Sequence, residues 1–455
     1  MHRLALVLLT SVTAFASLPA HAGSRKAART GKKIDAARLG AGWGKRKPLD
    51  VAEGRRLGRV LFGVAARPAR RKDGSIDVAV LGKPFHTRPH LDVKNASAAV
   101  YTSAELGQRL DQLGLSRDLL AHPAMTPEHN PVFAPGRRFD GVWFRYSAAP
   151  GDRGSKDGKG GFHGVAIRLF GDAQATGGFH DLLLTNANPA HISNEQQQVA
   201  FAEGLSRIVE GVKTARGGVR ALPKSAGSIA AGARELIRGL GPVGTLRTFT
   251  TLARQGRRPI DSIFTETYHG RTPNQFGVNA DGEPVAVKYR LVPLGRRVAA
   301  ERDGQPFSGA DRLKREGAAQ LAGSDVEVEL QLQYFVGEST PIDDARVEWK
   351  SSPFIPFMKL RIPAQDVRAA EARGEWADLE GAGFNPGNVL AEGYLPVGPG
   401  ALRPVVYDEV QRLRRETERT EATRGASARG AHTNQATSPD RRRVHTDGAR
   451  DAPFK

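Results

Sequence analysis

Near the end of the chain Arg403 and Tyr407 stand four residues apart, and Arg412 and Arg414 follow at one further helical turn and more. On a helix, residues at i and i+4 are neighbours, so this spacing sets a guanidinium beside a phenol. A cation in that place lowers a tyrosine's pKa from about 10 and favours phenolate, the form that binds ferric iron. Surface arginines around a buried tyrosine are common, and the spacing alone is a weak signal. His86 and His90 have the spacing of two metal ligands on one helix face. Pro84 and Pro89 break a helix there, and no cysteine or acidic cluster completes a zinc site. No GxSxG elbow marks a serine hydrolase. Gly239-Leu240-Gly241-Pro242-Val243-Gly244 fits GxGxxG, but it follows a helix-like run instead of a strand and lacks the distant acid of a dinucleotide site.

The elements that must position these groups follow from periodicity. Residues 77–82 read as a short strand, followed by a loop rich in His and Pro over 85–90, and 98–106 is expected to pair with that strand. Residues 141–146 and 164–170 alternate as strands, with an exposed Gly/Asp/Lys loop over 147–161 between them. Residues 194–212, 225–240 and 246–254 have helical spacing. Residues 276–293 form a hairpin around Asp281-Gly282, which supplies the positive backbone angles of a tight turn. Residues 326–336 alternate as a half-buried strand, and 405–415 open the last helix. Strands, then helices, then strands, then a helix is the order of an α+β domain, and there is no internal repeat.

Several blocks together resemble the heme catalase superfamily. Phe384-Asn385-Pro386-Gly387-Asn388 followed by Arg403-Pro404-Val405-Val406-Tyr407 is similar to the catalase segment F-D-P-x-N … R-x-x-x-Y. Arg145-Tyr146-Ser147 resembles the R-F-S strand, and the run from Gly164 to Phe170 resembles G-F-A-V-K-F. The run from Asp181 through Asn186 to Pro189 is similar to D-L-V-G-N-N-T-P, with one extra residue before the asparagine. The run from Phe276 to Glu283 resembles the F-x-V-N-A-x-G-E hairpin, and 354–360 resembles P-L-I-P-x-G-K-L. The blocks keep the family's order from about Leu81 to Arg415, closest to its small, single-domain bacterial members.

The resemblance implies a catalase-like antiparallel β-barrel core with surrounding helices and an extended N-terminal arm. It implies heme b, with Tyr407 on the iron, Arg403 beside it, and Arg145, Ser147 and Arg414 around the cofactor, the two arginines on propionates. Lys83 stands where the family has a further propionate arginine. His86 aligns as the distal histidine, with His90 as its rival, and Asn186 as the peroxide-holding asparagine. The distal loop departs from R-x-x-H-A-K-G-x-G-A, and His191-Ile192 replaces Phe-Phe, which points to a wider or more polar distal pocket. The implied activity is a peroxidase or weak catalase acting on hydrogen peroxide or organic peroxides, with a small organic reductant as a second partner. Rearrangement of fatty-acid hydroperoxides and non-enzymatic heme binding are the alternatives.

Composition bounds the setting. The chain has 455 residues, enough for a large buried core, and no cysteine, which excludes disulfides, thiolate metal sites and covalent heme attachment through Cys-x-x-Cys-His. His2-Arg3, the apolar run 4–18 and Pro19-Ala20-His21-Ala22 read as a signal peptide over 1–22, which places the mature protein in the periplasm or outside the cell. Residues 23–72 hold 16 Lys or Arg against 3 Asp or Glu, a basic arm expected to be extended and solvated. Only Trp43 and Phe62 interrupt it, too few for a base-stacking platform, so no specific nucleic acid is implied. The resemblance makes residues 73–415 the expected heme domain, and 416–455, poor in large apolar residues, are expected to be a disordered tail. No other run is long enough to be transmembrane, and a homo-oligomer is compatible with all of this.

Overall fold

Apolar residues alternate through 141–146 and again through 164–170, and in the structure, a computed structural model, both runs are neighbouring strands of one closed sheet. The structure describes residues 36–44, 48–66, 69–71, 73–78, 88–148, 161–171, 178–188, 190, 192–215, 222–256, 259–301, 304–309 and 311–435. Helix α1 (Val51–Ala66) is followed by strand β1 (Arg88–Val100) and helix α2 (Ser103–Leu113). Strands β2 (Arg138–Ala148), β3 (His163–Phe170) and β4 (Phe179–Thr185) form a meander, and helices α3 (Glu195–Ala215), α4 (Leu222–Leu240) and α5 (Pro242–Gly256) come next. The short strand β5 (Tyr268–His269) leads into the hairpin of β6 (Asn274–Val278) and β7 (Pro284–Pro293). Helix α6 (Arg312–Gly323), strands β8 (Val326–Tyr334) and β9 (Phe354–Ile362), and helices α7 (Val367–Ala372), α8 (Ala377–Gly381) and α9 (Arg403–Gln435) complete the order.

All strand pairs are antiparallel. The ring runs β4-β3-β2-β1-β9-β8-β7-β5, and β5 returns to β4 through Thr185 and His269, which closes an eight-stranded barrel; β6 extends the line of β5 along β7. Closure leaves no unpaired edge between the first and last strands. Opposed residues across neighbouring strands share a face, so Val93, Phe144, Ile167 and Leu182 form one buried apolar row that packs into the core. Trp143, Arg145 and Ser147 point the other way, towards the helices. The tight turn expected at Asp281-Gly282 is present, with Gly282 at φ 75° and Asn279 Oδ1 accepting from the backbone N–H groups of Asp281 and Glu283.

Three expectations change. Residues 98–106 do not form one strand: β1 ends at Val100, and Thr102 opens α2 with a capping box in which its hydroxyl and backbone N–H pair with Glu105. Of the strand expected over 77–82, residues 79–82 lie outside the described residues. The basic arm is neither extended nor fully solvated where it is described. Gly40 exchanges backbone hydrogen bonds with Phe335 and Ala286, and Trp43 Nε1 donates to Pro284 O at 2.7 Å. Helix α1 packs on α9, with Leu57 buried against Val199 and Val406. A Cβ at Gly54 or Gly58 would stand 2.8 or 2.7 Å from Val405 or Glu409, so glycine is what lets these two helices touch. The charge count hid a short apolar stripe, Leu57, Val60 and Leu61, at i, i+3 and i+4.

Helix α9 also runs past Glu416, where composition suggested a disordered tail. Ion pairs of Arg412 with Glu416 and of Arg414 with Glu418 support it at i, i+4, and Glu421 accepts a hydrogen bond from Ile76 N at 3.1 Å. Residues 1–22, expected to be a signal peptide, and residues 436–455 lie outside the described residues. Among the described residues no helix is long and apolar enough to cross a membrane.

Three histidines, two buried and one half-buried, give the fold an acid sensitivity. Burial pushes His122 and His180 down to about 3 and His269 to about 4. Above about pH 6.5 neither the folded nor the unfolded state binds a proton on these rings. Below it only the unfolded state does, so stability is complete above 6.5 and falls as pH drops towards the folded values. Lowering pH from 7 to 5 is expected to cost about 2 kcal/mol per ring. Urea unfolding at the two pH values, with each histidine in turn replaced by Gln, checks this; a pH dependence that the replacements leave unchanged would count against it.

Candidate functional site

The helix-facing side of β2, β3 and β4 forms a floor. Arg145 lies opposite Ala166, and Ala166 opposite Leu183; one step along, Ser147 faces Gly164, Gly164 faces Thr185, and Thr185 faces His269. All of these residues line one cavity of about 310 Å³. The middle strand contributes only Gly164 and Ala166 to these rows, so the floor is low at its centre.

Helix α9 forms the facing wall. Arg403, Tyr407, Gln411, Arg414, Arg415 and Glu418, spaced by three and four residues, turn one helix face to the cavity. The segment from Phe384 to Asn388 fixes that helix. Asn385 Nδ2 donates to Pro404 O at 3.0 Å and to Asp408 Oδ1 at 2.7 Å, and Gln411 Nε2 donates to Phe384 O at 3.1 Å. The same segment is tied to the barrel, because Asp181 accepts from Asn385 N at 3.0 Å and from Asn388 Nδ2 at 2.7 Å. Asp181 is also paired with Arg168, which donates to Gly383 O at 2.8 Å. The register of α9 over the floor is therefore set by buried polar contacts.

The half-buried ring of Tyr407 lies 5.7 Å from the guanidinium carbon of Arg403, the neighbour relation that the spacing predicts. Arg403 Nη1 donates to Thr272 Oγ1 at 3.0 Å, so the connection between β5 and β6 clasps the start of α9. That connection also carries Arg271, whose pKa burial pushes down to about 10; Arg403 adds to the shift and Tyr407 opposes it. The lining residues include five arginines, Arg145, Arg271, Arg403, Arg414 and Arg415, against one carboxylate, Glu418. Such a wall favours an anionic ligand.

Of the residues singled out in the sequence, Arg145, Ser147, Arg403, Tyr407 and Arg414 come together in this cavity. Two of them are already in ion pairs. Arg145 is bidentate on Asp92 and also donates to the carbonyls of Leu379 and Ala382, which holds that segment on the barrel. Arg414 Nε pairs with Glu418 Oε1 at 2.8 Å. Asn186 follows Thr185 but is not among the lining residues; its Oδ1 accepts from His163 N at 2.8 Å, which leaves Nδ2 as the group for any ligand. Lys83 and His86 lie outside the described residues, as does the side chain of His90. Pro89 pairs with Ser147, so β1 starts beside the floor, directly after them in the chain.

Sequence reasoning missed Arg271, Arg415, Glu418 and His269. His269 Nδ1 is buried and has no hydrogen-bond partner among the described residues. Glu418 and Arg415 continue the 403–407–411 periodicity and were readable once the helix was extended; nothing local marks Arg271 or His269.

No family model matches the chain, and no curated protein matches it. Among solved structures it is similar to a crystal structure of a fungal catalase, at 14% sequence identity and a TM-score of 0.46. The match covers 72% of this chain and 59% of that one, less than two thirds of the fungal protein's length.

Proposed function

We propose that this chain is an exported heme protein that turns over peroxides, with Tyr407 as the ligand to iron. The observation that carries the reading is the half-buried Tyr407 on the cavity wall, with Arg403 over its ring, facing a floor whose centre is Gly164 and Ala166. The residues present fit the group: a phenol beside a guanidinium as iron donor, a low floor for a flat ring, and a surplus of arginine for its two carboxylates.

When bound, heme b supplies an electron-rich ferric iron that favours cleavage of a bound O–O bond. Arg403 stands over the Tyr407 ring and keeps a positive charge beside the donor. Arg414, Arg415 and Arg271 balance the propionates, and Arg145 holds the wall behind them. His86 takes a proton from the incoming peroxide on its imidazole nitrogen and returns it to the departing oxygen. Asn186, its Oδ1 fixed by His163, directs Nδ2 to orient the peroxide.

Titration of the purified full-length chain with hemin, followed by absorption and then by peroxide consumption, tests this. A tyrosinate-type heme spectrum and turnover that His86→Ala removes, with heme retained, are expected. A chain that stays colourless with hemin would end the reading.

The Arg414–Glu418 pair makes a second expectation. Glu418 occupies, within the helix, the arginine that a propionate would use. Both side chains are partly exposed, so the pair is worth at most about 1 kcal/mol, and Glu418→Gln should tighten hemin binding about two- to fivefold. Weaker binding in Glu418→Gln would mean that Glu418 orients Arg414 instead of competing for it.

A further inference from the structure

We propose that the corner between α4 and α5 is a docking surface for an anionic lipid bilayer. The first two turns of helix α5 are inverted in polarity: Thr245 and Thr248 are inside, at 8% and 2% exposure, while Val243 and Leu246 are outside at 79% and 55%. The inner hydroxyl of Thr245 is satisfied by the carbonyls of Leu236 and Gly241. In the last turn of α4 the same division recurs, with Leu236 buried and Ile237 at 46% exposure. Ile237 O accepts from Gly241 N at 2.9 Å, so the last turn of α4 runs directly into the turn that leads to Val243. Three aliphatic side chains thus project at one corner and cannot be taken inward, because Leu236, Phe249 and Leu252 already fill the inner side.

Their surroundings choose the partner. Arg234, Arg238 and Arg247 are exposed beside them, and the nearby carboxylates are Glu235, paired with Arg238 at 2.7 Å, and Asp344, which feels the charge of Arg247. A second copy of the chain placed on this corner about a two-fold axis would bring arginine against arginine. An anionic bilayer instead accepts aliphatic side chains at its acyl boundary and arginines at its headgroups, which is the pattern present. The inference is independent of what the barrel cavity holds.

Co-sedimentation of the full-length chain with neutral phosphatidylcholine vesicles, and with vesicles containing phosphatidylglycerol, tests the surface. Binding is expected only to the anionic vesicles, weakened by salt. Val243→Asp/Leu246→Asp and Arg234→Glu/Arg247→Glu should each reduce it by about tenfold or more. All four positions are exposed, so unchanged circular dichroism and melting are expected, and an apolar leader at the N-terminus is common to every variant compared. Equal binding by the Val243→Asp/Leu246→Asp variant and the parent would overturn the proposal. So would a parent that ignores anionic vesicles but self-associates in sedimentation velocity and becomes monomeric in that variant.

Discussion

Tyr407→Phe should leave the protein folded and reduce its affinity for hemin by more than about a hundredfold. Removing a group that only supports a metal ligand costs about 10- to 100-fold, and loss of the ligand itself sets that as a lower bound. Phenylalanine keeps the ring that packs against Arg403 and removes only the oxygen. Since the ring is half-buried, the stability change is expected to be within about 1 kcal/mol. Any hemin that remains bound should lose the tyrosinate-type spectrum, because the phenolate oxygen that gives it is gone. Hemin titration beside urea unfolding separates the two effects. If Tyr407→Phe bound hemin with the parent's affinity and spectrum, the iron ligand would lie elsewhere in the chain.

The strands that position this tyrosine were readable where one face is apolar and the other polar. Residues 141–146 and 164–170 alternate, and Asp281-Gly282 announces its hairpin, so β2, β3, β6 and β7 follow from local pattern. Strand β1 does not, since its opening residues, Arg88 to Asp92, mix Pro, His and charge and join the sheet only through β2. Helix α1 reads as a charge block because its packed stripe, Leu57, Val60 and Leu61, is interleaved with Arg55, Arg56 and Arg59, and its partner is more than three hundred residues away in the chain, as the Arg59–Glu409 ion pair shows. In the site, Arg145, Ser147, Arg403, Tyr407 and Arg414 were found through motifs whose order along the chain is specific. His269 and Arg271 enter only because β5 closes the barrel between β4 and β7, and a two-residue strand leaves almost no periodic signal.

Asp181→Ala should cost about 3–5 kcal/mol of folding stability and lower hemin affinity as a consequence. Arg168 and Asp181 form a bidentate pair at 2.7 Å for each bond, with almost no side-chain exposure. Removing one partner of a buried pair leaves a charge without compensation, which is where most of that cost arises. The guanidinium of Arg168 would keep its contacts with the rings of Phe179, at 3.8 Å, and Phe384, at 4.7 Å, but these aromatic faces cannot replace a carboxylate. The same substitution frees Asn385 N and Asn388 Nδ2, so the Phe384 to Asn388 segment loses its tie to the barrel. That segment holds Pro404 and Asp408 on either side of Tyr407, and the phenol should lose its fixed place on the cavity wall. Replacing both partners, Arg168→Met with Asp181→Ala, distinguishes the two consequences. The double variant removes the stranded charge and should regain much of the stability. It cannot restore the anchors of Asn385 and Asn388, and its hemin affinity should stay low. A single Asp181→Ala within about 1 kcal/mol of the parent would show that the pair does not hold the helix over the cavity.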